Sequence, residues 1–295
     1  MISLAPEDLY RWCAVPADEL PGHPGLRVPL RLVRDSAEMG WVMARDFADV
    51  IARNAERGAP TRAIVPCGPT AWYAPFAELV NDEGLSLRGL HVFHMDECLD
   101  WQGQPLPRRH PHNFRTFMET YFYNPVRKDL AVPEAQRHWL LPSTAERVRI
   151  AIDEAPIDLT LGGWGQDGHV AYNQARRHPF SQVSLDHLAA STIRIQENNI
   201  DTILALAHRS LGSAYQFAPP MSITLGLREC LSARQIRLYS DTGAWKQTAL
   251  RVALFSLPTA EYPITLLQHH ADALITATLE TARHPISEHP EWELF

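Results

Sequence analysis

Ile157-Asp158-Leu159-Thr160-Leu161 runs without a break into Gly162-Gly163-Trp164-Gly165-Gln166-Asp167-Gly168-His169-Val170-Ala171-Tyr172-Asn173-Gln174. A short apolar run of this kind has the length of a buried strand, not of a helix. The glycines that follow let the backbone turn tightly and come close to a ligand. The same order recurs on both sides. Upstream, residues 62–67 are apolar, end in Gly68-Pro69-Thr70 and lead into a helical stretch to about residue 81. Residues 90–95 end in Met95-Asp96-Glu97, followed by a long loop and a helix over 113–123. Downstream, 191–196 precedes a helical 200–207, 235–240 leads through a turn into a helix over 244–255, and 272–276 closes the series. Ahead of all these, Asp35 and Glu38 stand at capping-box spacing. Met39, Val42, Met43, Phe47, Val50 and Ile51 then recur at helical spacing, and Gly58 stops the helix. Short buried strands alternating with helices predict an α/β fold, a doubly wound and mainly parallel sheet with helices on both faces. The Pro-rich residues 1–34 read as a lead-in and 35–295 as a single domain. Ligands of such sheets lie outside the carboxyl ends of the strands, so the polar residues just after each apolar run carry the functional information.

Composition narrows the class. The 295 residues are 45% hydrophobic, enough for a large core, and carry a net charge of −7. With a pI near 6.0, the chain has no global field that would attract nucleic acid or an anionic membrane. The opening residues 1–10 include Glu7 and Asp8 and lack the basic and apolar regions of a signal peptide. The longest uncharged stretch, 211–227, contains Gln216, Pro219 and Pro220 and does not read as a membrane span. Cys13, Cys67, Cys98 and Cys230 show no C-x-x-C spacing, which suits a reducing compartment. A cytoplasmic globular protein is expected.

Three strand ends could carry chemistry. Asp96 and Glu97 follow buried sequence, and neighbours on a strand point to opposite faces, so one of them faces a ligand. Apolar surroundings and the adjacent like charge raise the pKa of such a carboxylate, which suits a proton-abstracting base. Asp167 and His169 can converge in a tight turn, and a histidine beside a carboxylate can shuttle protons between two oxygens. Lys246, at the start of a helix, has the wrong sign for the helix dipole unless an anion binds there, with Gly68 and Thr70 offering further donors. Metal readings are weaker: His110-Pro111-His112, His269-His270 and His91/His94 lack the spaced partners of a zinc site, and H-E-x-x-H is absent. Pro66-Cys67 lacks the second cysteine of a nucleobase deaminase, and neither G-x-S-x-G nor G-x-x-x-x-G-K-[ST] occurs. No metal or other cofactor is expected.

Taken in order, Met95-Asp96-Glu97, the block containing Gly165, Asp167, Gly168, His169, Ala171 and Asn173, and Gly243-Ala244-Trp245-Lys246 resemble the glucosamine-6-phosphate deaminase/isomerase family. The resemblance runs from about residue 35 to 277. It implies a Rossmann-like fold, no metal, and conversion of an aldose 6-phosphate to a ketose 6-phosphate, with loss of ammonia when C2 bears an amine. By the same resemblance Asp96 is the base between C2 and C1, with Glu97 in support. His169 beside Asp167 opens the pyranose, Gly165 lines the substrate, and Gly68, Thr70 and Lys246 hold the 6-phosphate, with Arg209 or His208 as helpers. Two departures stand out. The family's phosphate loop reads G-G-T-P or G-S-T-P, here Cys67-Gly68-Pro69-Thr70-Ala71. The glutamate that orients the histidine is here Gln174, which can hold the ring but cannot stabilise an imidazolium by charge. The expected partner is a small sugar phosphate, with no nucleic acid or membrane and with a homo-oligomer allowed. The alternatives are a 6-phosphogluconolactonase, which shares a D-G-H block, and a non-catalytic sugar-phosphate sensor on the same fold.

Overall fold

The computed structural model describes residues 4–174 and 183–294. Ten strands occur among them: β1 Leu30–Val33, β2 Thr61–Val65, β3 Leu90–His94, β4 Asp96–Leu99, β5 Arg137–His138, β6 Leu159–Gly162, β7 Arg194–Glu197, β8 Met221–Thr224, β9 Gln235–Ser240 and β10 Ala273–Thr278. Seven form one sheet in the order β1-β10-β9-β6-β2-β3-β5. Every neighbouring pair in it is parallel. The central strands β2 and β6 are buried along their whole length, as expected of strands covered on both faces. Along β2, Ala63 and Val65 pack into the core under the helices Ser36–Glu56 and Tyr73–Glu83, while Ile64 packs into the opposite core with Phe93, Val148 and Ile152. This period of two across two cores makes Ala63-Ile64-Val65 read as a continuous apolar stretch.

The expected alternation is present, with instructive differences. The helix after residue 35 is capped by Asp35, whose Oδ1 accepts from the Glu38 N–H at 2.9 Å. Glu38 reaches back to the Arg34 N–H at 2.8 Å, one residue beyond the usual capping-box partner. Gly58 follows at φ +66°, the left-handed position that a glycine occupies without strain. The lead-in is built into the sheet: Leu30–Val33 is its edge strand beside β10, Leu20 and Val28 are buried, and the Arg27 N–H donates to Leu254 O at 2.8 Å. The expected strand over 191–196 lies outside the main sheet. Its equivalent, β7, pairs antiparallel with β8, which pairs antiparallel with β4. Met95 joins the two sheets, donating to Val65 O at 3.1 Å and accepting from the Leu225 N–H at 2.9 Å. Among the described residues no helix is long and apolar enough to cross a membrane.

The chain moves outward from β2 to β3 and β5, returns to β6 beside β2, and then builds the other half through β9 and β10 to β1. The reversal between β2 and β6 is a topological switch point, where loops diverge and leave a crevice.

Candidate active site

A cavity of about 340 Å³ opens at that crevice. Its wall is assembled from four strand ends: Gly68, Pro69 and Thr70 after β2; Met95 and Asp96 after β3; Trp164, His169 and Tyr172 after β6; Asp241, Thr242 and Lys246 after β9. Arg209, on the helix Ile200–Ser210, completes it. The cavity therefore brings together Asp96, His169, Gly68, Thr70 and Lys246. Glu97, Gly165, Asp167 and Gln174 do not line it.

Asp96 and Glu97 leave β4 in opposite directions. Asp96 faces the cavity, and its carboxyl is pushed up to about 7 by burial first and by the charge of Glu97 second, while His169 pulls the other way. Glu97, expected at the substrate, points away from it. Its Oε1 accepts from the Cys98 and Phe114 N–H groups at 3.0 and 2.8 Å, and its Oε2 from the Arg115 N–H at 2.8 Å. It thus ties β4 to the first turn of the helix Phe114–Met118 and so places Phe114 in the cavity wall. Burial pushes this carboxyl up to about 7 against the pull of the three N–H groups.

His169 is held from below by Asp167, which is buried; His169 Nδ1 and Asp167 Oδ1 lie 2.5 Å apart. That bond leaves Nε2 as the ring nitrogen available to a ligand. Gly165 sits beneath the ring. A Cβ there would lie 2.1 Å from His169 Cε1, so glycine at this position allows the imidazole to lie where it does. The turn is closed by Gly165 N–H to His169 O at 2.9 Å and Gly168 N–H to Gly165 O at 3.0 Å, with Gly168 at φ +71°. Tyr172 stacks alongside the imidazole, ring centroids 5.9 Å apart. Asn173 pins the segment to the small sheet by donating to Val170 O and Leu225 O at 3.0 and 2.9 Å.

Gln174 does not hold the histidine. Its Oε1 accepts from the Asn199 N–H at 3.0 Å and its Nε2 donates to Thr202 Oγ1, at the start of the helix Ile200–Ser210. The expectation that residue 174 orients His169 is corrected: Asp167 does so.

At the other end of the cavity Lys246 and Arg209 supply positive charge. The expected helix over 244–255 begins with a 3₁₀ turn, Gly243–Lys246, and becomes α-helical at Gln247. The Lys246 ammonium is pushed down to about 8, by burial first and by Arg209 second, with Asp241 opposing. His208 turns elsewhere, its Nδ1 3.3 Å from Ser213 Oγ. The sequence reading missed Trp164, Tyr172 and Phe114 as wall residues. The first two lie inside the quoted block, and their placement there was the available signal. Among the described residues no group of three or more His, Cys, Asp or Glu side chains could hold a metal ion.

No family model matches the chain. The glucosamine-6-phosphate deaminase of Phocaeicola vulgatus is 28% identical over 230 residues, covering 75% of this chain and 81% of that protein. That of Caenorhabditis elegans is 29% identical over 227 residues, covering 75% and 76%. A solved monomeric glucosamine-6-phosphate deaminase superposes with a TM-score of 0.70 at 20% identity, over 86% of this chain and 98% of that one. Over about three quarters of its length the chain is thus similar to glucosamine-6-phosphate deaminases, and it shares their fold. The 6-phosphogluconolactonase of Trypanosoma cruzi shares the fold, with a TM-score of 0.60 at 16% identity over 88% and 98% of the chains. At the two positions where the sequence departs from the expected pattern, Gln174 is committed to Asn199 and Thr202, and Pro69 lies in the loop after β2 that lines the cavity.

Proposed function

We propose that this enzyme converts a hexosamine 6-phosphate to a ketose 6-phosphate with release of ammonia, glucosamine 6-phosphate plus water giving fructose 6-phosphate and ammonia. The observation that carries the residue assignment is the sharing of one cavity by three functions: the Asp167–His169 pair, the Asp96 carboxyl and the Lys246/Arg209 end. The 6-phosphate sits against Lys246, Arg209, Thr70 and the backbone of Gly68, where cations and N–H donors suit a dianion. His169 Nε2 moves a proton from the 1-hydroxyl to the ring oxygen, which opens the pyranose. Asp167 favours the imidazolium formed on the way. Asp96, once ionised, takes the proton from C2 and returns it to C1. A carboxyl held near pH 7 is a stronger base than an ordinary aspartate and is still about half ionised at neutral pH. Water then replaces nitrogen at C2, releasing ammonia. The net charge of −7 disfavours nucleic-acid or anionic-membrane partners, and four free cysteines without C-x-x-C spacing suit a reducing, cytoplasmic setting. The direct test supplies glucosamine 6-phosphate and follows fructose 6-phosphate and ammonia together. Equimolar appearance supports the reading. Inertness toward amino-sugar phosphates, with hydrolysis of 6-phosphogluconolactone instead, overturns it.

A further inference from the structure

The cation at the phosphate end has an unusual partner. Lys246 Nζ lies 5.5 Å from the centroid of the Trp164 ring, and both residues line the cavity. Among the described residues no ion pair or hydrogen bond engages Nζ. The nearby carboxylate of Asp241 accepts from Ser36 Oγ at 2.6 Å. Trp164 is only 2% exposed and packs in the core that holds Val170, Leu238 and Ile264, so its ring is fixed before any ligand arrives. Among the described residues its buried Nε1 finds no hydrogen-bond partner. An orphaned N–H destabilises the fold, and a leucine here would avoid that cost. The feature the indole has and the leucine lacks is a π face.

We propose that Trp164 is a positioning residue of the anion site: its ring holds the Lys246 ammonium over the cavity and leaves all three of its N–H donors free for a phosphate. This rests on the sugar-phosphate reading above and adds to it a residue that acts through Lys246. An aspartate or glutamate in the same place would also attract the ammonium, but it would occupy its donors and repel an arriving dianion. An indole attracts a cation through its ring quadrupole and carries no charge of its own. Lysine is the suitable cation here, as a compact point charge with rotatable donors.

The chain offers a direct readout, because Lys128 and Lys246 are its only lysines and Lys128 is exposed. In protein labelled with lysine carrying ¹³C at Cε, the ε-protons of Lys246 are expected upfield of those of Lys128 through the ring current of Trp164. The shift should vanish in Trp164→Leu and survive in part in Trp164→Phe. Titration with inorganic phosphate, followed on the same signals and by calorimetry, should show about fivefold to tenfold weaker binding in Trp164→Leu. Tenfold corresponds to about 1.4 kcal/mol. KM for the sugar phosphate should rise by the same factor with kcat within about twofold, and phenylalanine should recover part of the loss. An unshifted Lys246 signal in the wild type, or unchanged phosphate affinity in Trp164→Leu, overturns the proposal. If the leucine variant does not fold, the wild-type shift and the phenylalanine variant decide it. Lys246→Ala separates the two levels. If it binds phosphate as the wild type does, the phosphate reading of this end of the cavity fails. If it loses binding while Trp164→Leu does not, only the role of Trp164 fails.

Discussion

Replacing Gly165 by alanine adds one methyl group, and its position is defined. It would stand 2.1 Å from Cε1, 2.3 Å from Nδ1 and 2.7 Å from Nε2 of His169. Gly165 is not among the glycines at positive φ, so alanine adopts the same backbone and the effect is confined to the clash. Carbon atoms settle near 3.5 Å apart, so the imidazole must retreat by roughly 1.4 Å. That movement breaks the 2.5 Å bond to Asp167 and shifts Nε2 away from the place proposed above for the sugar ring oxygen. Misplacing a catalytic group by about 1 Å costs on the order of 100-fold in rate, equivalent to about 2.7 kcal/mol of barrier. The side chain of His169 is already 15% exposed and can swing into the cavity. The stability cost should therefore fall at the lower end of the roughly 1–3 kcal/mol typical of overpacking. The assay is kcat/KM on glucosamine 6-phosphate beside an analogue lacking both the 4- and 5-hydroxyls, which can close neither a furanose nor a pyranose. The expected result is about a 100-fold loss on the first and little loss on the second, with phosphate binding unchanged. Turnover of the cyclic substrate within threefold of wild type would refute the placement of His169. An equal loss on both substrates would refute its assignment to ring opening.

Asp96→Asn should abolish turnover while stabilising the fold at pH 8. With the folded pKa near 7 and an unfolded value near 3.9, the native chain retains a proton that the unfolded chain releases between about pH 4 and 7. Stability therefore falls as pH rises through that window. Asparagine should recover on the order of 2 kcal/mol above it and nothing below pH 4, and a lower Tm at pH 8 would count against this. Glu97→Gln should cost about 1–3 kcal/mol in chemical denaturation, because Phe114 and Arg115 lose a charged acceptor. If it eliminates proton transfer in a fully folded protein while Asp96→Asn does not, the wrong carboxylate has been assigned. Gln174→Glu should keep the acceptor for Asn199 and leave ring opening unchanged, whereas a tenfold gain in kcat would restore residue 174 as the partner of His169.

The main sheet was legible because its strands keep short apolar stretches between helices, such as Ala63-Ile64-Val65 in β2 and Leu159-Thr160-Leu161 in β6, both buried throughout. Leu30–Val33 escaped notice because it is a four-residue edge strand, mostly half-buried and carrying Arg31. That guanidinium is satisfied by Asp46, a partner on the following helix that no local pattern reveals. The small antiparallel sheet escaped for a related reason. Asp96–Leu99 and Arg194–Glu197 each carry charges and pair through Met221–Thr224, far from both in sequence. At the candidate site, strand alternation correctly separated Asp96 from Glu97. The direction taken by Gln174 was not legible, since it depends on an N–H and a hydroxyl presented by a helix 25 to 28 residues later. Trp164 could be quoted from the sequence, but its pairing with Lys246 exists only once β6 and β9 lie side by side.

The central claim is that Asp96 moves the proton between C2 and C1. It is tested most directly by ¹H NMR of glucosamine 6-phosphate in D₂O, counting both washout of the C2 proton and its transfer to C1 of the product. The wild-type enzyme is expected to cleave the C2–H bond, with a rate that falls as pH drops through about 7 and Asp96 takes up a proton. Asp96→Asn is expected to bind the sugar phosphate yet leave that bond intact. C2–H cleavage by Asp96→Asn at the wild-type rate would contradict the account.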